Sequence, residues 1–129
     1  MQLHDFRLKG YSVSAAGTRV MLDLEYAYPN QPKEESLIEF ADVAAYHFVH
    51  TGGAIITDIE EVPLADLLDE VGGQLAEWWR LHGGLRHWSD DRKAYLAALE
   101  SDGYRSWEIS SSVGFEGFVI AKRLNQKGA

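Results

Sequence analysis

The hydrophobic period of this chain changes twice, and that change restricts its fold more than any other feature. Val20, Leu22, Leu24, Tyr26 and Tyr28 alternate with Met21, Asp23, Glu25 and Ala27. A period of two with one apolar and one mostly acidic face belongs to a half-buried strand. From Pro63 onward the apolar residues Leu64, Leu67, Leu68, Val71, Leu75 and Trp78 recur at helical spacing instead. After residue 103 short strand-like runs return. Strands, then helices, then strands predict an α+β domain: an antiparallel sheet of about six strands with two or three helices inserted at about 63–101 on one face or end. The 129 residues suit one domain spanning 1–129.

The punctuation divides these blocks. Residues 3–13 and 20–28 form a first hairpin around the turn-rich stretch Ser14–Thr18, where Gly17 supplies a positive φ. Pro29-Asn30-Gln31-Pro32 breaks the pattern. Residues 36–50 and 54–62 read as a second hairpin across Thr51-Gly52-Gly53, with a slip of phase near Asp42 that signals a bulge. Pro63 opens a helix, where its missing N–H costs nothing. The stripe keeps its phase through Gly72-Gly73, giving one bent helix or two short ones, and Gly83-Gly84 ends it. Ser89 caps a further helix with Asp90 and Asp91 in its first turn, and Tyr95, Leu96 and Leu99 form its inner stripe. Residues 104–113 and 117–124 read as a C-terminal hairpin around Gly114–Gly117, and the polar tail 125–129 is expected to fray.

Charge and composition exclude several functions. The chain has no Cys, which removes disulfides, thiolate metal sites and Cys nucleophiles and suits a reducing compartment. No apolar run reaches the roughly 20 residues of a membrane span, and MQLHDFRLKG lacks the apolar core of a secretion signal. A cytoplasmic location is the expectation. The net charge is −8, but it is unevenly spread. Residues 20–79 hold 13 acids and the single base Lys33, whereas the flanks hold 7 acids and 11 bases. A field of that sign repels nucleic acid and anionic membranes and steers a basic protein inward.

The catalytic residue types are present without a catalytic arrangement. His47 and His50, three apart in a strand, point to opposite faces and cannot chelate one ion without a bulge between them. His82 and His87 flank Gly83-Gly84-Leu85-Arg86, and either His also suits a helix C-terminus. Asp58 and Glu60 share a strand face, where they serve acid–base chemistry only if a pocket raises one pKa, and otherwise form an exposed acidic face. Ser110-Ser111-Ser112 lacks the G-x-S-x-G turn, and no phosphate-cradling glycine motif occurs. No metal or cofactor is expected. The aromatic residues stand out more: Trp78, Trp79, Trp88 and Trp107 are joined in sequence by Tyr95, Tyr104, Phe115 and Phe118. On a helix Trp78 and Trp79 lie about 100° apart, so only one of them points straight into the core.

The order of hairpin, Phe40-x-x-Val43-x-x-Tyr46-x-Phe48, Ile56-x-x-Ile59-Glu60-Glu61 and a late aromatic strand resembles small bacterial α+β domains. That type includes immunity proteins that neutralise toxins of neighbouring cells. The pattern spans roughly two thirds of the chain; it implies a cytoplasmic, non-enzymatic binder and carries no family site residue over.

The leading expectation is a non-catalytic acidic domain that binds a basic protein or a second copy of itself as a homodimer. Asp23, Glu25, Asp58 and Glu60 would steer the partner, and Trp79 and Trp88 would anchor it. One rival is a small-molecule-binding domain or enzyme whose pocket is made by Trp78, His82, Arg86 and His87. Another is a structural subunit with a large exposed apolar patch.

Overall fold

The computed structural model describes the backbone of residues 2–128 and the side chains of 5–127. Six strands and two helices follow in the order β1 (Gln2–Ser14), β2 (Arg19–Tyr26), β3 (Glu34–Ala41), β4 (Ala45–Val62), α1 (Leu64–His82), α2 (Arg92–Ser101), β5 (Arg105–Ala121) and β6 (Arg123–Gly128). The sheet is antiparallel with strand order β5-β4-β1-β2-β3-β6. The protein is therefore α+β, as the two changes of period require. Among the described residues no helix is long and apolar enough to cross a membrane.

The first hairpin forms as read: β1 pairs with β2 around a short 3-10 turn, and Val20, Leu22 and Leu24 are wholly buried on the alternate face. The other two expected hairpins do not form. β4 runs straight through Thr51-Gly52-Gly53, β5 runs straight through Gly114–Gly117, and the two long strands pair with each other. The glycines that read as turns serve as a bulge and as points of close approach. The register shifts between His50 and Ile55 take up the extra residues, with Gly53 at φ 74. Gly114, at φ 83, faces them so closely that a Cβ would lie 3.0 Å from the Ala54 Cα. A Cβ on Gly117 would lie 2.5 Å from the His47 carbonyl oxygen. Glycine at these positions lets the ribbon bend without reversing.

The phase slip near Asp42 marks a sharper feature. Asp42 adopts φ 54 and turns β3 into β4. Opposite it, only Lys122 separates β5 from β6. Ladder bonds continue through this corner, from Ala44 N–H to the Ile120 carbonyl at 2.8 Å and from Lys122 N–H to the Ala41 carbonyl at 3.1 Å. The Val43 N–H ties the corner to the Thr18 carbonyl of the first hairpin at 2.9 Å. β3–β4 and β5–β6 thus form two long bent strands paired along their lengths, and they wrap the β1–β2 hairpin. Residues 125–128, expected as a frayed tail, belong to β6 and pair with β3 from Ser36 to Glu39. Ala129 lies outside the described residues.

Two hydrophobic clusters share the β4–β5 ribbon. Inside the curl, Val20, Leu22, Leu24, Ile38, Phe40, Ile56, Ile59, Trp107 and Val119 pack together. On the other face, Leu64, Leu67, Leu68 and Leu75 of α1 and Tyr95 and Leu99 of α2 pack on Ala45, Phe118 and Ile120. α1 is a single helix through Gly72-Gly73. Gly72 is the seat of Arg92, whose guanidinium occupies the space a Cβ would need and bonds Asp69 at 3.2 Å. α2 is capped by Asp91, which accepts from the Lys93 N–H at 3.0 Å; Ser89 instead accepts from the Asp91 N–H at 3.1 Å, one step upstream.

Candidate functional site

Between α1 and the β4–β5 ribbon runs a groove of about 600 Å³. Its helix wall is Leu67, Glu70, Val71 and Gln74, and its sheet wall includes His47, Glu108, Ser110, Glu116 and Phe118. The helix sequence explains the first wall. Leu67 and Leu68 sit on the buried stripe, and Glu70 and Gln74 fall at its edge one turn on. The ribbon explains the second, since the small residues Ser110, Ser111 and Gly117 leave room beneath the helix.

Glu70, Glu108 and Glu116 are the acidic residues of the groove lining, and the strand register sets further acid beside it. Glu60 on β4 stands directly opposite Glu108 on β5. Asp58 stands opposite Ser110 on the same face, two residues along. Glu70 on α1 lines the same groove as Glu108. Partial burial, then the charge of Glu70, then the charge of Glu60 push the Glu108 carboxyl above its ordinary value. Among the described residues no Lys or Arg forms an ion pair with Glu60, Glu70, Glu108 or Glu116.

The carboxylates elsewhere differ. Lys9 lies 4.0 Å from Asp23 and 3.7 Å from Glu35. Lys33 lies 3.6 Å from Glu25 and 3.2 Å from Glu35, and Arg19 lies 3.2 Å from Glu39. The Lys33 ammonium holds Glu35 below the ordinary carboxylate value, and the Asn125 amide does the same for Glu39. Arg105 forks onto Glu61 and lowers it likewise.

The structure therefore divides the four acids expected to steer a partner. Asp58 and Glu60 share the groove side of β4, whereas Asp23 and Glu25 lie on β2 among Lys9 and Lys33. Trp79 and Trp88 are brought together, their rings stacked at 6.1 Å and 24°. Trp88 leans on Tyr95 at 4.9 Å and donates to Asp90 at 3.2 Å, while Trp79 is 41% exposed beside Leu81 at the end of α1. This makes an apolar ledge at one end of the helix layer.

The four residues of the expected pocket go to three places. Trp78 turns inward, stacking on Phe118 at 6.3 Å and meeting His47 at 5.6 Å. His82 ends α1, exposed. Arg86 and His87 converge on Asp102, at 3.8 Å and 2.8 Å, with Lys122 at 3.1 Å from the same carboxylate. The His87 and Lys122 hydrogen bonds hold Asp102 below its ordinary value. His47 and His50 do take opposite sides of β4, His47 toward Trp78 and His50 toward Tyr11 and Phe115. Among the described residues no three His, Asp or Glu side chains are placed to hold a metal ion.

A second surface lies at the ribbon's bend. Tyr11, Val13, Val49 and Val113 are each at least 39% exposed, and Tyr11 rests its ring on Phe48, His50 and Phe115.

Sequence reasoning missed Glu70, Gln74, Glu108 and Glu116 as groove residues. Glu70 had a signal, its place at the edge of the apolar stripe. Glu108 had none, because only the β4–β5 register sets it against Glu60. Compared with known protein families, curated proteins and solved structures, the chain matches none of them.

Proposed function

We propose that the protein is a non-catalytic binding domain whose groove receives a cationic segment of a partner protein, as an immunity-type protein would receive a basic toxin. One observation carries this reading: Glu70 and Glu108 line one groove from helix and sheet, Glu60 stands opposite Glu108 on the neighbouring strand, and among the described residues no Lys or Arg pairs with any of the three. Like charges placed directly opposite on neighbouring strands destabilise the fold. A Lys- or Arg-rich segment would relieve that repulsion and would gain apolar contact with Leu67, Val71 and Phe118. The Trp79–Trp88 ledge offers the large aromatic surface on which interface anchors are commonly built.

The test is NMR mapping of a Lys/Arg-rich peptide, followed by recovery of partners on the immobilised protein. Shifts confined to α1 and the facing part of the β4–β5 ribbon support the reading, as does a basic partner released by salt and by a Glu60→Gln/Glu70→Gln chain. Perturbation centred on β2 and β3 would move the interface to the other face.

The raised Glu108 carboxyl in the groove lining favours a second reading, in which the groove holds a small molecule and Glu108 acts as general acid. Thermal-shift screening against cationic metabolites separates the two: a stabilising small ligand lost in Glu108→Gln favours the second. The exposed patch around Tyr11 favours self-association, and sedentimentation of the Tyr11→Ser variant beside the parent chain tests it.

A further inference from the structure

We propose that the charge-free face around Tyr11 and Val13, where the curl of the sheet stays open, joins a second copy of this chain across a two-fold axis. This rests on the self-association reading of that surface and is independent of the groove.

The face is a piece of core side left uncovered. Tyr11 pairs with Leu22 and Val13 with Val20. Directly opposed residues of an antiparallel pair point to the same side of the sheet. Leu22 and Val20 are wholly buried inside the curl, yet Tyr11 is 41% and Val13 39% exposed. Among the described residues β1 pairs with β4 only at Gln2, Phe6 and Arg7, so Tyr11 and Val13 lie beyond the end of that ladder. Rings alone reach across: Phe48 meets Tyr11 at 5.2 Å, His50 at 5.7 Å and Phe115 at 6.2 Å.

Charge singles out the same place. Residues 10–18, 43–57 and 109–115 contain none of the chain's 12 Lys and Arg or 20 Asp and Glu. The fold brings these stretches together. Tyr11 meets Phe48 and Phe115, the Val43 N–H bonds the Thr18 carbonyl, and Ile55 pairs with Val113. The exposed turn between β1 and β2 keeps the pattern. Ala15 and Ala16 hold left-handed backbone, at φ 52 and φ 55, where Asn, Asp or Gly is the usual occupant. Uncharged side chains stand there despite the strain.

The absence of charge points to the occupant. Around a two-fold axis each residue faces its own counterpart, so a charged side chain near the axis meets its like. A face without ionic groups avoids that repulsion, and homodimer interfaces are the more apolar ones. A different partner imposes no such condition and is met by complementary charge. Each copy as a whole carries −8, so two copies repel at long range. Salt screens that repulsion and leaves apolar contact intact. Association through this face therefore tightens as salt is added, whereas a cationic segment is released from an acidic groove.

Sedimentation velocity of the full chain, over a range of protein and salt concentrations, tests the face. The expected result is a monomer–dimer equilibrium that tightens with salt. Tyr11→Ser and Val13→Lys each weaken it about tenfold or more, and Trp79→Ser on the ledge leaves it within about twofold. Val13 is exposed, so Val13→Lys is read on a folded chain, checked by near-ultraviolet circular dichroism. A chain that stays monomeric at every concentration overturns both this face and the self-association reading. A dimer that salt weakens, or that Trp79→Ser disrupts while Tyr11→Ser and Val13→Lys do not, overturns the face and leaves self-association standing. Growth beyond the dimer overturns the two-fold closure.

Discussion

The two faces that carry most of the protein's acid treat their charge in opposite ways. On β1, β2 and β3, Lys9, Lys33 and Arg19 sit between Asp23, Glu25, Glu35 and Glu39, and the carboxyls of Glu35 and Glu39 are held below their ordinary value. At the β4–β5 ribbon and the helix above it, Glu60, Glu70 and Glu108 have no Lys or Arg ion pair among the described residues, and Glu108 is driven toward its protonated form. Net charge along the chain does not separate these faces. The separation comes from which strands are neighbours, since Lys9 and Arg19 of the N-terminal flank join Lys33 beside β2 and β3, while among the described residues no Lys or Arg pairs with Glu60, Glu70 or Glu108. Acid that is answered locally serves solubility, and acid left unanswered in a concave place is available to a partner.

The strongest way to break the comparison is to show that the two faces belong to independent units. Phe40 is wholly buried against Trp107, at 5.6 Å between rings, inside the curl. Phe40→Ala is expected to cost about 3–5 kcal/mol. Because the ribbon carries both clusters, calorimetry should show one transition moving down as a whole; two transitions would split the faces. Gly117→Ala strikes the shared ribbon itself. The new methyl group would meet the His47 carbonyl and the Phe48 ring, for an expected loss of about 1–3 kcal/mol in urea denaturation.

Binding sharpens the contrast directly. With a Lys/Arg-rich peptide, Glu60→Gln/Glu70→Gln should weaken binding about tenfold, equivalent to about 1.4 kcal/mol. Asp23→Asn/Glu25→Gln should leave it within about twofold by the same measurement, because those charges are already answered. Equal losses would erase the distinction.

The smallest effect is a difference of sign with pH. Glu35, Glu39, Glu61 and Asp102 have lowered values, so their contribution is present above the ordinary carboxylate range and is lost as pH falls through the lowered ones. Glu108 runs the other way. Melting temperatures measured from pH 4 to 7 should therefore fall more steeply toward acid in Glu108→Gln than in the parent chain. Parallel curves would refute the opposition.

How much of this was legible depends on whether the information was local. The β2 alternation, the α1 stripe and the 100° separation of Trp78 from Trp79 are properties of neighbouring residues, and they appear in the structure as read. Gly52-Gly53 and Gly114–Gly117 misled because glycine permits a bulge as readily as a turn, and only the opposing strand decides which. The β6 residues Asn125, Gln126 and Lys127 lack an apolar pattern because they form an exposed edge, where backbone pairing to β3 holds them. The groove was half legible. Asp58 and Glu60 were singled out as a shared face, but Glu108 and Glu70 join them only through register and helix docking, which no run of residues records.

The paired bent strands also set an order for making the protein. β3 finds its outer partner only in β6, so Phe40 waits for Leu124, and β4 waits for β5 across both helices. During synthesis the β1–β2 hairpin and β3 can assemble early, yet the flanks of β3 and β4 stay open until residues 105–128 have emerged. Pairings this distant in sequence close slowly, and open strand edges recruit other chains in the meantime. A chain interrupted before Arg105 would keep 18 of its 20 acidic residues and most of its apolar core residues, and would have no ribbon to bury them.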